Sequence, residues 1–271
     1  MSGGTTVVAG GGSFAVIRAA LRMGVLEALQ YRVGFWFEGV LSIAWSLIGM
    51  APLLVALGHR PEVAGWDAWS LVTIVGFYTL FSGIFGAFLE PAMIESMQRI
   101  RTGSFDYLLL RPVPSLLSAL TSAFSMWRLV EILAGLALIV ASAWKVGASP
   151  TLLDLVGAVA FVVAGTMALY AFGIFALAAS FRALQLQNLA FLMEATLDFA
   201  RWPISVFRGP LKALFTFVVP FAVMTTFPAE SLLRGLGLET LAWAWVSAGL
   251  LLGAALWTWR RGLSRYTSAS S

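Results

Sequence analysis

The stretch EPAMIESMQRIRTGSFDYLLLRPVP, residues 90–114, decides how the rest of the chain is read. It carries Glu90, Glu95, Arg99, Arg101, Asp106 and Arg111, and it sits between two long apolar blocks. Elsewhere charge is sparse. Of 271 residues, 60% are hydrophobic and 11% charged, where soluble domains carry about 25% charged residues. Several apolar runs approach or exceed the roughly 20 residues that cross a bilayer core as a helix. A transmembrane barrel would show short alternating segments instead. The fold class expected is an all-α polytopic membrane protein in which residues 90–114 are a charged excursion from the bilayer.

Working outward from that loop, six transmembrane helices are expected at residues 33–57, 69–89, 129–148, 155–181, 185–204 and 240–259. Glu90-Pro91 closes the second. Pro150 breaks the third. The fourth is long enough to cross with tilt. The fifth contains Asn188, Glu194, Asp198 and Arg201 and still has to span. The sixth offers Trp243, Trp245, Trp257 and Trp259 as interfacial anchors. At the start of the chain, residues 1–12 are Gly-rich, without the basic start and apolar core of a cleaved signal peptide, and are expected to form a flexible tail. Residues 13–31 place Phe14, Ile17, Leu21, Val25 and Leu29 at helical spacing, with Arg18 and Arg22 between them. That suits a helix lying in the membrane interface, or a plain cytosolic extension. Residues 13–265 then form a single transmembrane domain, and 266–271 a C-terminal tail.

Within the re-entrant segment expected at 208–228, residues 211–227 are about the minimum length for a crossing, are bracketed by Pro210 and Pro228, and are interrupted by Pro220. If they dip into the membrane and return, eleven of the 17 Lys and Arg residues lie on the side of residues 90–114 and six on the other. A full crossing makes the split nine to eight. The positive-inside bias favours the first arrangement. A Pro-broken re-entrant hairpin is tolerated where protein or a water-filled cavity shields its backbone. Residues 90–114 and both termini are then cytoplasmic.

Composition also removes classes of function. The chain has no Cys and one His, His59. A disulfide framework, a thiolate nucleophile and a Cys- or His-based metal site are therefore excluded for it. The net charge of +4 follows from the positive-inside bias, and no Arg/Lys run with interleaved aromatics points to nucleic acid. There is no H-E-x-x-H motif, and no G-x-x-x-x-G-K-[ST] phosphate loop; Gly10-Gly11-Gly12-Ser13 is not one. No cofactor is expected in this chain, and any ATP hydrolysis belongs to another.

Two clusters carry candidate chemistry. In residues 90–114, Pro91 suits the first turn of a helix. Met93 or Ile94, Met97 and Ile100 make an apolar stripe. Glu95, Gln98, Arg99 and Arg101 make the other faces, and Gly103 stops the helix. Such a helix docks into a partner's groove, or rests on headgroups as an ordinary positive-inside loop. In the second cluster, Glu194 and Asp198 share a helical face and Arg201 lies three residues beyond Asp198. A mid-membrane carboxylate costs about 2.5–3.5 kcal/mol, which makes Glu194 and Asp198 candidates for cargo passage. The alternative is an Asp198–Arg201 ion pair with Glu194 hydrogen-bonded to another helix. Phe77, Tyr78, Phe81, Phe85 and Phe88 form an aromatic band that meets lipid or lines an apolar path. Gly165 and Gly173 permit close helix packing.

Residues 100–113, IRTGSFDYLLLRPV, resemble the stretch after the second span of type-two ABC exporter permeases, and more closely a bacterial six-span drug-export branch of that class. Residues 31–39, YRVGFWFEG, are similar to the start of that branch's first span. Residues 202–207, 216–221 and 227–229 are similar to segments that form re-entrant half-helices between its fifth and sixth spans. The resemblance covers about residues 14–265. It implies a permease subunit in a bacterial cytoplasmic (inner) membrane, surrounded by membrane lipids. Its partners would be an ABC ATP-binding subunit, which holds the ATP and Mg, and a second permease copy or paralogue. Ile94, Glu95, Met97, Arg99, Ile100, Arg101, Phe105 and Asp106 would form the coupling surface. Pro203, Pro220 and Pro228 would belong to the re-entrant gate. Glu194, Asp198, Asn188, Phe81 and Phe85 are the translocation-path candidates. Two rivals stand beside it: a proton-coupled secondary transporter using Glu194 and Asp198, although no inverted repeat is visible, and a polysaccharide or lipid-linked glycan exporter of the same class.

Overall fold

The computed structural model describes residues 62–110, 112–181 and 189–266, the side chains of 217 and 218 excepted, together with residues 18, 34, 37, 39–42, 44, 48, 49, 51, 55, 58 and 59. The tail at 1–12, nearly all of the proposed interfacial helix, Arg111, Asn188 and the last five residues lie outside the described set, as does much of span 33–57. The positions described between 34 and 59 are helical.

Among the described residues, four helices are long and apolar enough to cross a membrane: Ala68–Thr102, Met126–Val146, Leu152–Ser180 and Leu238–Leu263. They overlap the expected spans 69–89, 129–148, 155–181 and 240–259, the first of them extending well past residue 89. In the expected span 185–204 the described residues begin at 189 and form the nine-residue helix Leu189–Leu197, followed by a 3₁₀ turn at Asp198–Arg201. Nine residues rise about 14 Å, half of the roughly 30 Å hydrocarbon core.

The chain is also not wholly helical. Glu62–Val63 and Trp66–Asp67 pair as an antiparallel ribbon. Its turn, Ala64-Gly65, has positive φ at both residues, the backbone that a two-residue hairpin needs. Arg234 fixes the ribbon by stacking 4.2 Å over Trp66 and donating to the Gly65 carbonyl at 2.7 Å. Asp67 then caps the next helix by accepting from the Trp69 amide at 3.2 Å.

Pro91 stands in the first turn of the helix Glu90–Thr102, as expected, yet the helical backbone does not break before it. The helix runs from Ala68 to Thr102 without leaving helical backbone, through a π turn at Phe85–Leu89. A proline inside an α-helix loses one hydrogen bond and drives its ring into the carbonyl four residues back. The wider turn, in which the Glu90 amide donates to the Phe85 carbonyl, relieves that clash. The same device recurs at the π turn Ala222–Thr226, two residues before Pro228.

Glycine sets the approach of Leu129–Val146 to Ala68–Ile84. A Cβ at Gly135 would stand 2.5 Å from the Leu80 amide nitrogen and 2.8 Å from the Gly76 carbonyl. Both are backbone atoms that cannot step aside. Gly135→Ala is expected to destabilise the protein by about 1–3 kcal/mol through overpacking. Gly253→Ala, with open space around its Cβ position, should be neutral or stabilising by up to about 1 kcal/mol. Thermal unfolding of the two purified variants in one detergent makes the comparison.

Leu152–Ser180 begins with a capping box between Thr151 and Asp154. Asp154 also accepts from the Leu236 amide at 2.9 Å, which ties this helix to the turn before Leu238–Leu263. Its small residues receive aromatic rings: a Cβ at Gly165 would meet the Phe81 ring at 2.7 Å. Phe77, Phe81 and Phe85 are buried inside the subunit, away from its outer surface. Trp259 is likewise not an interfacial anchor. It is buried against Phe181, with ring centroids 5.1 Å apart.

Candidate functional site

The polar residues of the membrane region converge on Arg128. The 3₁₀ turn Met126–Arg128 leads directly into Leu129–Val146, so Arg128 and Glu131 lie one turn apart and pair at 2.8 Å. The same guanidinium reaches Glu90 at 3.6 Å and Glu194 at 3.5 Å, joining three segments distant in sequence. Its face lies 4.4 Å from the Trp127 ring centroid. Gly86 makes room for it: a Cβ there would meet Arg128 Cδ and Nε at 2.7 Å. Glu131, only 3% exposed, also accepts from the Ser42 hydroxyl and, at 3.3 Å, from Ser82.

A second cluster lies alongside. Arg201 pairs with Asp198 at 2.5 Å and donates to the Gly49 carbonyl at 2.7 Å. The Tyr78 hydroxyl donates to Asp198 at 2.5 Å and accepts from Arg201 at 2.9 Å. Both clusters line one cavity of about 500 Å³, with Leu41, Ile48, Phe191 and Ala195 supplying apolar wall.

Glu194 and Asp198 are thus brought together with Arg128, Glu131, Arg201 and Tyr78. The ion pair Asp198–Arg201 and the reach of Glu194 to another helix are both present. Phe81 and Phe85 do not line this cavity, and Tyr78 does. Sequence reasoning missed Arg128 and Glu131. Their i, i+3 spacing was the available signal; the contacts to Glu90 and Glu194 have none.

The coupling candidates divide by exposure. On the helix Glu90–Thr102, Ile100 is buried with Met93, Met97 is half-buried, and Ile94 is 52% exposed. Glu95 and Arg99 pair at 2.7 Å, and exposed Arg101 donates to Gln98 at 2.8 Å. Gly103, at φ 75°, ends the helix in the left-handed conformation. Phe105 is completely buried, while Asp106 opens the short helix Asp106–Leu109. Tyr107 and Leu110, which the sequence did not single out, are 73% and 81% exposed beside Ile94's helix.

Two of the gate prolines sit at breaks in helical backbone, and the third lies inside a helical run. Pro203 precedes the 3₁₀ turn Ile204–Val206. Pro220 follows Val219, whose extended backbone separates the helical arm Gly209–Val218 from the π turn Ala222–Thr226. Pro228 opens the helix Phe227–Arg234. The second arm packs against Ala68–Ile84 and Leu152–Ser180.

A match to the family described as ABC-2 family transporter protein extends over residues 41–270. The chain belongs to the ABC-2 transporter family. No curated protein and no solved structure gives a significant match. An ABC-2 permease is a transporter membrane subunit rather than an enzyme, and in general associates with an ABC ATP-binding subunit. The match takes in the whole loop at 90–114, the Arg128 and Arg201 clusters and the prolines at 203, 220 and 228.

Proposed function

We propose that this ABC-2 permease is the membrane subunit of an ATP-driven exporter, coupled to its ATP-binding subunit through residues 90–114. It works in the bacterial cytoplasmic membrane with both termini cytoplasmic and pairs with a second permease copy or paralogue. Six spans and a re-entrant 208–228 fit the charge parity. The observation that carries the reading is an exposed apolar surface on a firmly anchored support. Ile94, Tyr107, Leu109 and Leu110 are exposed, while Met93, Ile100, Phe105 and Leu108 beside them are buried in the core. Exposed apolar side chains of this kind are what a docking partner buries, and a rigid base beneath them lets nucleotide-driven movement reach the spans rather than dissipate in a loop.

The triple variant Ile94→Ala, Tyr107→Ala, Leu110→Ala should insert and purify like the parent. Capture of the ATP-binding subunit should weaken by at least about tenfold, as loss of buried anchors does. Charge reversals at Arg99, Arg101 and Asp106 should lower transport per ATP hydrolysed. Normal capture together with normal ATPase stimulation in these variants would falsify the coupling assignment. Transport that survives ATP depletion and collapses with the proton gradient would instead point to Glu194 and Asp198 as proton carriers.

A further inference from the structure

Among the described residues, three carboxylates, Glu131, Glu194 and Asp198, and two guanidiniums, Arg128 and Arg201, line the cavity, and Glu90, outside that lining, also draws on Arg128. Arg128 and Arg201 stand within salt-bridge reach of four carboxylates, Glu90, Glu131, Glu194 and Asp198. Two of the four are well engaged. Glu131 is buried, paired at 2.8 Å and supported by Ser42 and Ser82. Asp198 holds Arg201 and the Tyr78 hydroxyl, each at 2.5 Å. Glu194 has only a 3.5 Å contact, to the Arg128 nitrogen that also reaches Glu90, and among the described residues it makes no shorter polar contact. Its carboxylate lines the cavity and is 41% exposed.

A carboxylate at membrane depth is costly unless something compensates it. The site selects for a particular kind of compensation. Its volume, about 500 Å³, falls within the roughly 300–1,000 Å³ of small-molecule sites. Leu41, Ile48 and Phe191 present apolar wall beside the charge. Among the described residues no group of His, Cys, Asp and Glu is arranged to hold a metal ion. The two guanidiniums already have partners: Arg128 gives its terminal nitrogens to Glu131 and Glu194, Arg201 gives its own to Asp198, Tyr78 and the Gly49 carbonyl, and both Nε atoms are fully enclosed.

The geometry points to a binding site for an amphiphilic organic cation, its positive group against Glu194 and its apolar body against Leu41, Ile48 and Phe191. As the cargo of an exporter this rests on the function proposed above; as binding chemistry it stands alone. The test uses the full chain in zwitterionic nanodiscs without nucleotide, with empty discs subtracted. The probes are tetraphenylphosphonium and tetraphenylborate, which share a shape and differ in the sign of charge. Saturable binding of the phosphonium alone is expected in equilibrium dialysis. Glu194→Gln should weaken it about tenfold, the scale of a lost contact to a charged group, and Glu194→Asp should restore most of it. Equal affinity in Glu194→Gln, or saturable borate binding of similar strength, overturns the inference. Arg128 keeps Glu131 in that variant, so it should fold. If it does not, Ala195→Trp fills the cavity without altering charge, and unchanged phosphonium binding there overturns the inference equally. Capture of the ATP-binding subunit by the unaltered chain is read separately: its failure removes the exporter reading and leaves the cation site, while the converse result removes only the site.

Discussion

Arg128→Ala is expected to lower stability by about 3–5 kcal/mol, because breaking a buried ion pair strands the remaining charges. Here three carboxylates lose their shared cation at once. Glu131 suffers most, being 3% exposed and paired at 2.8 Å. Arg128→Lys should recover only part of the loss. A single ammonium cannot fork toward Glu90, Glu131 and Glu194 together, nor lie flat on Trp127 as the guanidinium does. Adding Glu131→Gln to Arg128→Ala should restore part of it by removing the charge left most desolvated. Unfolding midpoints of the purified proteins in one detergent provide the measurement. An unchanged midpoint for Arg128→Ala would mean that the carboxylates find their compensation elsewhere.

Phe105→Ala should cost a similar amount, about 3–5 kcal/mol, as large-to-small changes at buried aromatics do. The side chain is completely buried. Its ring lies 5.6 Å from Phe181, 6.2 Å from Trp259 and 5.9 Å from Tyr266, edge-on to all three. These rings belong to the ends of Leu152–Ser180 and Leu238–Leu263, so Phe105 pins the loop after Gly103 to two long helices. Tyr107→Ala, two residues on and 73% exposed, should change stability by no more than about 0.5 kcal/mol. The contrast separates the residue that holds the surface in place from one that forms it. Equal midpoints for the two variants would show that Phe105 does not anchor the loop.

Four of the six expected spans were legible as long apolar helices because length and polarity suffice to mark them. Ala68, Leu129, Leu152 and Leu238 each begin a helix within a few residues of the expected start. Gly103 stops its helix as read, and Asp198 and Arg201 pair as their spacing allowed. What the sequence hid was direction. In water an amphipathic pattern separates core from surface, but lipid tails are as apolar as a protein core, so that contrast vanishes. Phe81 and Phe85 could thus be taken for a path and Trp259 for an anchor, when all three are buried. Pro91 takes the first turn of its helix as the local rule allows; what stayed hidden is that the chain keeps helical backbone up to it by changing helix type over five residues. The Arg128 hub was hidden because its contacts to Glu90 and Glu194 cross 38 and 66 positions, beyond any local pattern.

The π turn at Phe85–Leu89 has a mechanical consequence. By carrying the helix past Pro91, it makes Ala68–Thr102 a single rod of 35 residues, about 52 Å long. A hydrocarbon core is only about 30 Å thick, so a substantial arm projects beyond it, ending at Arg99, Arg101 and Gly103. The Glu90–Arg128 contact holds this helical run part-way along, next to the wider turn. The same run carries Tyr78 and Ser82 into the cavity lining on one side of that contact and the exposed Ile94 and Arg101 on the other, so one continuous helix joins the cavity to the charged loop.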